Sequence, residues 1–192
     1  YKPAPRAELQ SVLGADQPLS SWSRAQWMPV ARRFGRTAFE RAAMSGENTA
    51  AQRIRAIEVL TEIFNPMSAG TAREIANADD PQVVARLAWA LGRMSPDPER
   101  HELLRSLVGS RHVMAQRASW EALLSLPNTF PASPPDWTRG LTSPDRRVRA
   151  AALGVARRWQ LRDFAGEGPQ ARLSRLRLGE LDHRDPKAVR DY

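Results

Sequence analysis

The sequence predicts an all-α chain folded as a right-handed α-solenoid of about five helix pairs with a partial sixth, and three observations carry that expectation. Arg24, Arg55, Arg86, Arg117 and Arg149 recur at separations of 31, 31, 31 and 32 residues. Each lies within a helix-like apolar pattern, as in VVARLAWALGRM and VRAAALGVARRW. No strand pattern separates one from the next. A helix pair of this length cannot bury its apolar face alone, so a period of this kind implies stacking of pair on pair. Ten or more helices are expected in a single domain across residues 1–192. The pairs fall at about 6–35, 36–65, 68–95, 97–126 and 136–160, with a partial or capping repeat over 161–192.

In chain order, the first helices of the pairs run from Arg6 to Gly14, Thr37 to Met44, Thr71 to Ala76, Asp97 to Leu107 and, cramped, Asp136 to Leu141. Thr71 with Glu74 reads as a capping box. The second helices surround the five arginines and open with residues that satisfy the free N–H groups of a first turn. Asp80-Pro81 and Ser143-Pro144 set a capping oxygen before a proline whose missing N–H costs nothing there. Ser20 or Ser21, and Ser110, supply weaker starts.

Two stretches break the pattern. From Leu126 to Asp136, four prolines forbid regular helix. This stretch reads as spanning a gap left by a shortened first helix, with a Pro-rich recognition loop as the alternative. The tail from Ala171 to Tyr192 reads as another first helix and the opening of a second, since HRDPKAVR repeats the logic of ADDPQVVAR. Its stop at Tyr192, and a start at Tyr1 in place of methionine, lead us to expect a piece of a longer protein; a natural terminal cap is the alternative.

The segments NADDPQVVARLAWALG and LTSPDRRVRAAALG each bring an Asp-Pro or Pro-Asp turn into a Val, Arg and Ala-Leu helix. In this they resemble HEAT and HEAT-like repeats, over roughly Arg6 to Gln160. The resemblance implies a two-layer helical wall whose second helices line a concave surface, and says almost nothing about function. A narrower likeness lies in SSWSRAQWMPVARRFG followed by AAQRIRAIEVLTEI, which looks like the helical-repeat region of large secreted bacterial proteins that join a propeller-type dehydrogenase domain to a c-type cytochrome domain. It implies a spacer between redox modules, placed outside the cytoplasm; without it the compartment is open, a cytoplasmic place being the ordinary one. The Cys-x-x-Cys-His of a cytochrome does not occur in these residues.

Composition removes several chemistries. There is no cysteine, so disulfides, thiolate metal sites and cysteine nucleophiles are excluded within these residues. No apolar run approaches the roughly 18 residues of a membrane span. The net charge of +8 attracts polyanions. Only Lys2 and Lys187 are lysines, however, so 27 of the 29 basic residues are arginine, in a chain also rich in alanine. Codon bias of a GC-rich genome accounts for part of that excess, and the basic surface reads as solvated, with a dedicated nucleic-acid face as the alternative.

Catalytic constellations are sparse. His101, His112 and His183 have no metal-ligand spacing, the adjacent Asp79 and Asp80 read as helix caps, the five methionines read as packing, and there is no phosphate loop or nucleophile elbow. No cofactor and no metal are expected. The most informative feature is the register three residues after each arginine, which holds Trp27, Glu58, Trp89, Trp120 and Ala152. On a helical projection Val83, Val84, Leu87, Ala88, Leu91 and Met94 share one arc, with Arg86, Trp89 and Arg93 opposite.

A candidate concave ridge therefore comprises Arg24, Trp27, Arg55, Arg86, Trp89, Arg117, Trp120 and Arg149, suited to anionic or aromatic groups. Packing of the tryptophans between neighbouring second helices is the competing account. A basic patch adds Arg139, Arg146, Arg147, Arg157, Arg158 and Arg162 against Asp145. The expected function is a non-catalytic protein-interaction or spacer module, partnered by another protein or by flanking domains. The alternative is a nucleic-acid-binding solenoid, including the alkylation-repair type of DNA glycosylase, for which Glu58 is the acid in the register; a HEAT-like chromophore-lyase subunit has no specific residues in its favour. Only weak, sequence-independent nucleic-acid binding is expected.

Overall fold

The computed structural model describes residues 5–15, 21–65, 67–95, 97–126 and 137–158. Among these the chain is all helical: α1 (Pro5–Leu13), α2 (Ser21–Met44), α3 (Ala50–Ile63), α4 (Ala69–Ala76), α5 (Pro81–Leu91), α6 (Pro98–Leu107), α7 (Val113–Ser125), α8 (Trp137–Leu141) and α9 (Arg146–Arg158). No strand occurs among the described residues. The proline-rich stretch 127–136, the tail 159–192 with Arg162 and His183, and the candidate cap Ser20 lie outside them.

The helix expected from Ser21 and the one expected from Thr37 are a single element, α2, bent at Gly35. There φ is 72° and ψ 170°, a region open almost only to glycine. The turn anticipated between two helices is thus made by one residue.

Several helix starts differ from those the residue pattern suggests. Asp80 caps α5 as anticipated, its carboxylate accepting from the N–H groups of Gln82 and Val83, with Pro81 in the first turn. Asp97 serves α6 in the same way. The capping box expected at Thr71 and Glu74 does not form: α4 begins earlier, Ser68 is its cap, and Thr71 gives its N–H to the Ser68 hydroxyl. A reciprocal box does form at α3 between Thr49 and Gln52. At α9 the cap is Asp145, which accepts from Arg147 and Val148 N–H, while Ser143 accepts from Asp145 N–H one step earlier. At α7 His112 occupies the cap position without capping the helix by its side chain, which accepts from Arg111 Nε instead, and Ser110 accepts from the His112 N–H.

Packing follows the period. α3 lies against α5, α5 against α7 and α7 against α9, while α4 touches α6 and the second arm of each pair touches its first: α4 with α5, α6 with α7, α8 with α9. The core is aliphatic, with Ile57, Leu60, Leu87, Leu91, Leu104 and Leu123 fully buried. Phe39 and Phe64 meet at 6.0 Å between ring centroids.

Arginines knit these elements through backbone carbonyls. Arg55 donates to Ala15 O at 2.7 Å, Arg53 to Ala43 O at 2.8 Å, Arg36 to Phe64 O at 3.2 Å, Arg100 to Met67 O at 3.3 Å and Arg139 to Gly109 O at 3.2 Å. Most of these acceptors lie at or just beyond helix C-termini, where the last carbonyls lack an intrahelical partner and carry the negative end of the dipole. Five of the 27 arginines thus have a structural role in joining these elements.

Candidate functional site

The register residues divide between core and surface. Trp120 is completely buried, and Trp27 nearly so, with its indole N–H lacking a partner among the described residues. Arg149 is 5% exposed and turns back on its own helix start, donating to Ser143 O at 2.6 Å and Pro144 O at 2.9 Å. These three are buried among the helices, and the Arg149 guanidinium satisfies the turn before α9. The Arg24 side chain lies outside the described residues.

The remaining members do come together, on α3 and α5. Glu58 is shared by two guanidinium groups: Arg55 on its own helix at 3.2 Å and Arg86 on the next at 3.5 Å. Arg86 also lies over the Trp89 ring, 4.9 Å from the centroid. Arg93, just past the end of α5, lies over the same ring at 4.3 Å. Trp89 is half-buried and Arg93 exposed. Spacings of three before and four after the tryptophan bring both cations onto one face of the helix turn, so the pairing with Arg93 was readable from spacing. Arg93 makes no ion pair among the described residues. On α7, Arg117 faces outward and bonds Glu121 at 2.7 Å, one turn on.

Two exposed apolar side chains, Val113 at 44% and Met114 at 52%, open α7. Nothing in the local residue pattern marks them: Val113 shares the wheel sector of Trp120, and the two differ in position along the axis, Val113 opening α7 while Trp120 lies about 10 Å further in, against Gly140.

The basic patch is partly dispersed. Arg146, Arg147, Arg157 and Arg158 are exposed on α9, a helix without an acidic residue, while Arg139 is drawn to the Gly109 carbonyl. Arg146 and Arg147 occupy the first turn, against the positive end of the helix dipole.

Asp79 and Asp80 do not act as a pair. Asp80 is the cap of α5, and Asp79 forms an ion pair with Arg111 across the turns that precede α5 and α7. His101 is buried on α6, and burial holds its imidazole below its ordinary pKa; Asp97 pulls the other way and Arg100 adds to the lowering. No grouping of three His, Cys, Asp or Glu residues suited to a metal ion occurs among the described residues, and none of their helices is long and apolar enough to cross a membrane.

Comparison with protein families, with curated proteins and with solved structures finds no match.

Proposed function

We propose that the chain is a non-catalytic protein-interaction or spacer module, built as a right-handed HEAT-like α-solenoid. The observation that carries this is the succession α3, α5, α7, α9, each second helix packed on the one before it, with α4 against α6 as the other layer. Such a wall offers a long surface built from equivalent positions, on which partners are read by a few outward side chains. The likeness to the helical region of secreted redox proteins gives this role a concrete form, a spacer between a propeller and a cytochrome. The reading frame on either side of residues 1 and 192 tests that form through a flanking Cys-x-x-Cys-His.

Two measurements test the module itself. In a solenoid each pair is held mainly by its neighbours, so a chain ending at residue 126 should stay folded by circular dichroism and melt cooperatively at a lower temperature. Complete loss of helix would point to one indivisible core. Duplex DNA should bind weakly and lose its affinity by roughly 0.2 M salt, as counterion release requires. Binding that persists there, or base release from alkylated DNA, would put the alternative first.

That alternative, a nucleic-acid-binding solenoid, is favoured by the exposed arginines of α9. Its glycosylase form is weakened by Glu58, whose carboxylate is held between Arg55 and Arg86 and is not presented as a free base.

A further inference from the structure

The two helical layers differ in charge. Among the first helices, α4 sets Arg73 beside Glu74, and α6 sets Arg100 and Arg105 beside Glu99 and Glu102. Among the second helices, α3 sets Arg53 and Arg55 against Glu58 and Glu62, α7 sets Arg117 against Glu121, and α5 and α9 contain no acid. The layer of second helices is thus the more positive through α9 and through Arg86 and Arg93, while α3 and α7 are internally balanced.

Within that layer α5 and α7 run side by side in register. Asp79 and Arg111 pair at one end, and a Cβ built on Gly92 would meet Ala122 Cβ at the other, at 2.7 Å. One 31-residue period places Met114 level with Val83. At a rise of about 1.5 Å per residue, Trp89 then lies about 9 Å further along. The outward arcs of the two helices consequently present, in order, Val113 and Met114, then Arg117 and Arg86, then Trp89 and Arg93.

Resting on the interaction-module reading, we propose that this strip docks an acidic segment of a partner protein in which carboxylates alternate with apolar side chains. Arg93 supplies the open charge: its guanidinium is positioned by the indole beneath it and has no carboxylate among the described residues. A partner carboxylate meets a cation whose freedom is already reduced, so less entropy is lost on binding. Met114 and Val113 supply the apolar half, methionine being suited to adaptable docking surfaces.

Two features favour a peptide over a nucleic acid. The Trp89 ring already carries two guanidiniums, so a base would have to displace one to stack. Glu58 and Glu62 on one side and Glu121 on the other interrupt the positive surface. A phosphate chain, charged at every nucleotide, would run against those carboxylates, whereas a peptide can place neutral residues there.

The test uses the full 192-residue chain and fluorescence anisotropy at about 0.1 M salt. The probes are a labelled synthetic peptide of interspersed Glu and Leu, the same peptide with Gln for Glu, and a single-stranded oligonucleotide of equal charge. The acidic peptide should bind, and the Gln peptide and the oligonucleotide should bind at least about tenfold more weakly. Arg93→Glu and Met114→Glu should each weaken the acidic peptide by about tenfold or more, with circular dichroism unchanged because both residues are exposed. Arg146→Glu with Arg147→Glu, on α9, should change it by less than about twofold. Absence of binding, equal binding of the Gln peptide, tighter binding of the oligonucleotide, or an equal loss from the α9 variant would each overturn the proposal. None of these results bears on the truncation at residue 126, so docking and architecture fail separately.

Discussion

Gly140 on α8 lies against the indole of Trp120 on α7. A Cβ built on the glycine would stand 2.7 Å from Trp120 Cε2 and 2.8 Å from Ala152 Cβ. The short α8 therefore wedges between two second helices by having no side chain at its point of contact, and Trp120 is buried as a result.

Gly140→Ala should destabilise the chain by about 1 to 3 kcal/mol through overpacking, since neither a buried indole nor a helix methyl can move aside cheaply. Gly46→Ala, where the new methyl meets nothing within 4 Å, is the control and should stay within about 0.5 kcal/mol. Urea denaturation measures both. Equal midpoints for the two variants would mean that α8 does not rest on Trp120.

Gly35→Ala should also destabilise, for a different reason. Its Cβ would find open space, but the backbone at φ 72° is strained for any side chain, at about 1 to 3 kcal/mol. Loss of helicity confined to α2 by amide exchange would locate the effect. An alanine variant as stable as the parent would show that the bend at residue 35 is not fixed.

Ser68→Ala should cost about 0.5 to 2 kcal/mol because it removes the cap of α4. Glu74→Ala should stay within about 0.5 kcal/mol, because Glu74 takes no part in that cap. Thermal melts of the two variants decide between Ser68 and the Thr71–Glu74 box that the residue pattern suggests, and the reverse order would restore the box.

The buried imidazole of His101 makes stability depend on pH. Its pKa is lowered in the folded chain, so the unfolded chain binds the proton more readily. The contribution is fully present above the unfolded value of about 6.5 and is lost as pH falls below it toward the folded value. His101→Asn should reduce the difference in urea midpoint between pH of about 7 and about 5. An undiminished difference would assign the pH dependence to other groups.

The period of 31 residues and the helical class were legible because both rest on local pattern: apolar spacing, Asp-Pro starts and the recurrence of arginine. The facing of each helix was not legible. Trp89 and Trp120 hold the same register, yet the first is half-buried under two guanidiniums and the second is enclosed. The outward arc of α5 runs through Trp89 and Arg93, whereas that of α7 runs through Arg117 and Glu121, so α7 is rolled about its axis relative to its neighbour. What holds that roll is contact with distant residues, Gly140 among them, which no single-helix projection contains. Cap positions escape the pattern for a related reason. At Ser68 and Thr71, or Ser143 and Asp145, several oxygen-bearing residues compete within three positions, and the one used is the one where packing lets the first turn begin. The repeat puts Arg149 on the ridge because nothing in its local context shows that the Ser143 carbonyl, six residues back, lies within reach.

The bend at Gly35 bears on how this chain can tolerate change in length over evolutionary time. Where α3 leads to α4, or α4 to α5, a few non-helical residues intervene, and one more or one fewer can be absorbed there without turning the next helix. Between the two arms of α2 there is only a single glycine. A residue inserted within either arm would turn everything beyond it by about 100°, exposing Phe39 and Ala43 and burying their charged neighbours Glu40 and Arg41. Insertions and deletions should therefore collect in the turns of this lineage and be missing from residues 21–44, a footprint that related sequences would carry even after their side chains had diverged.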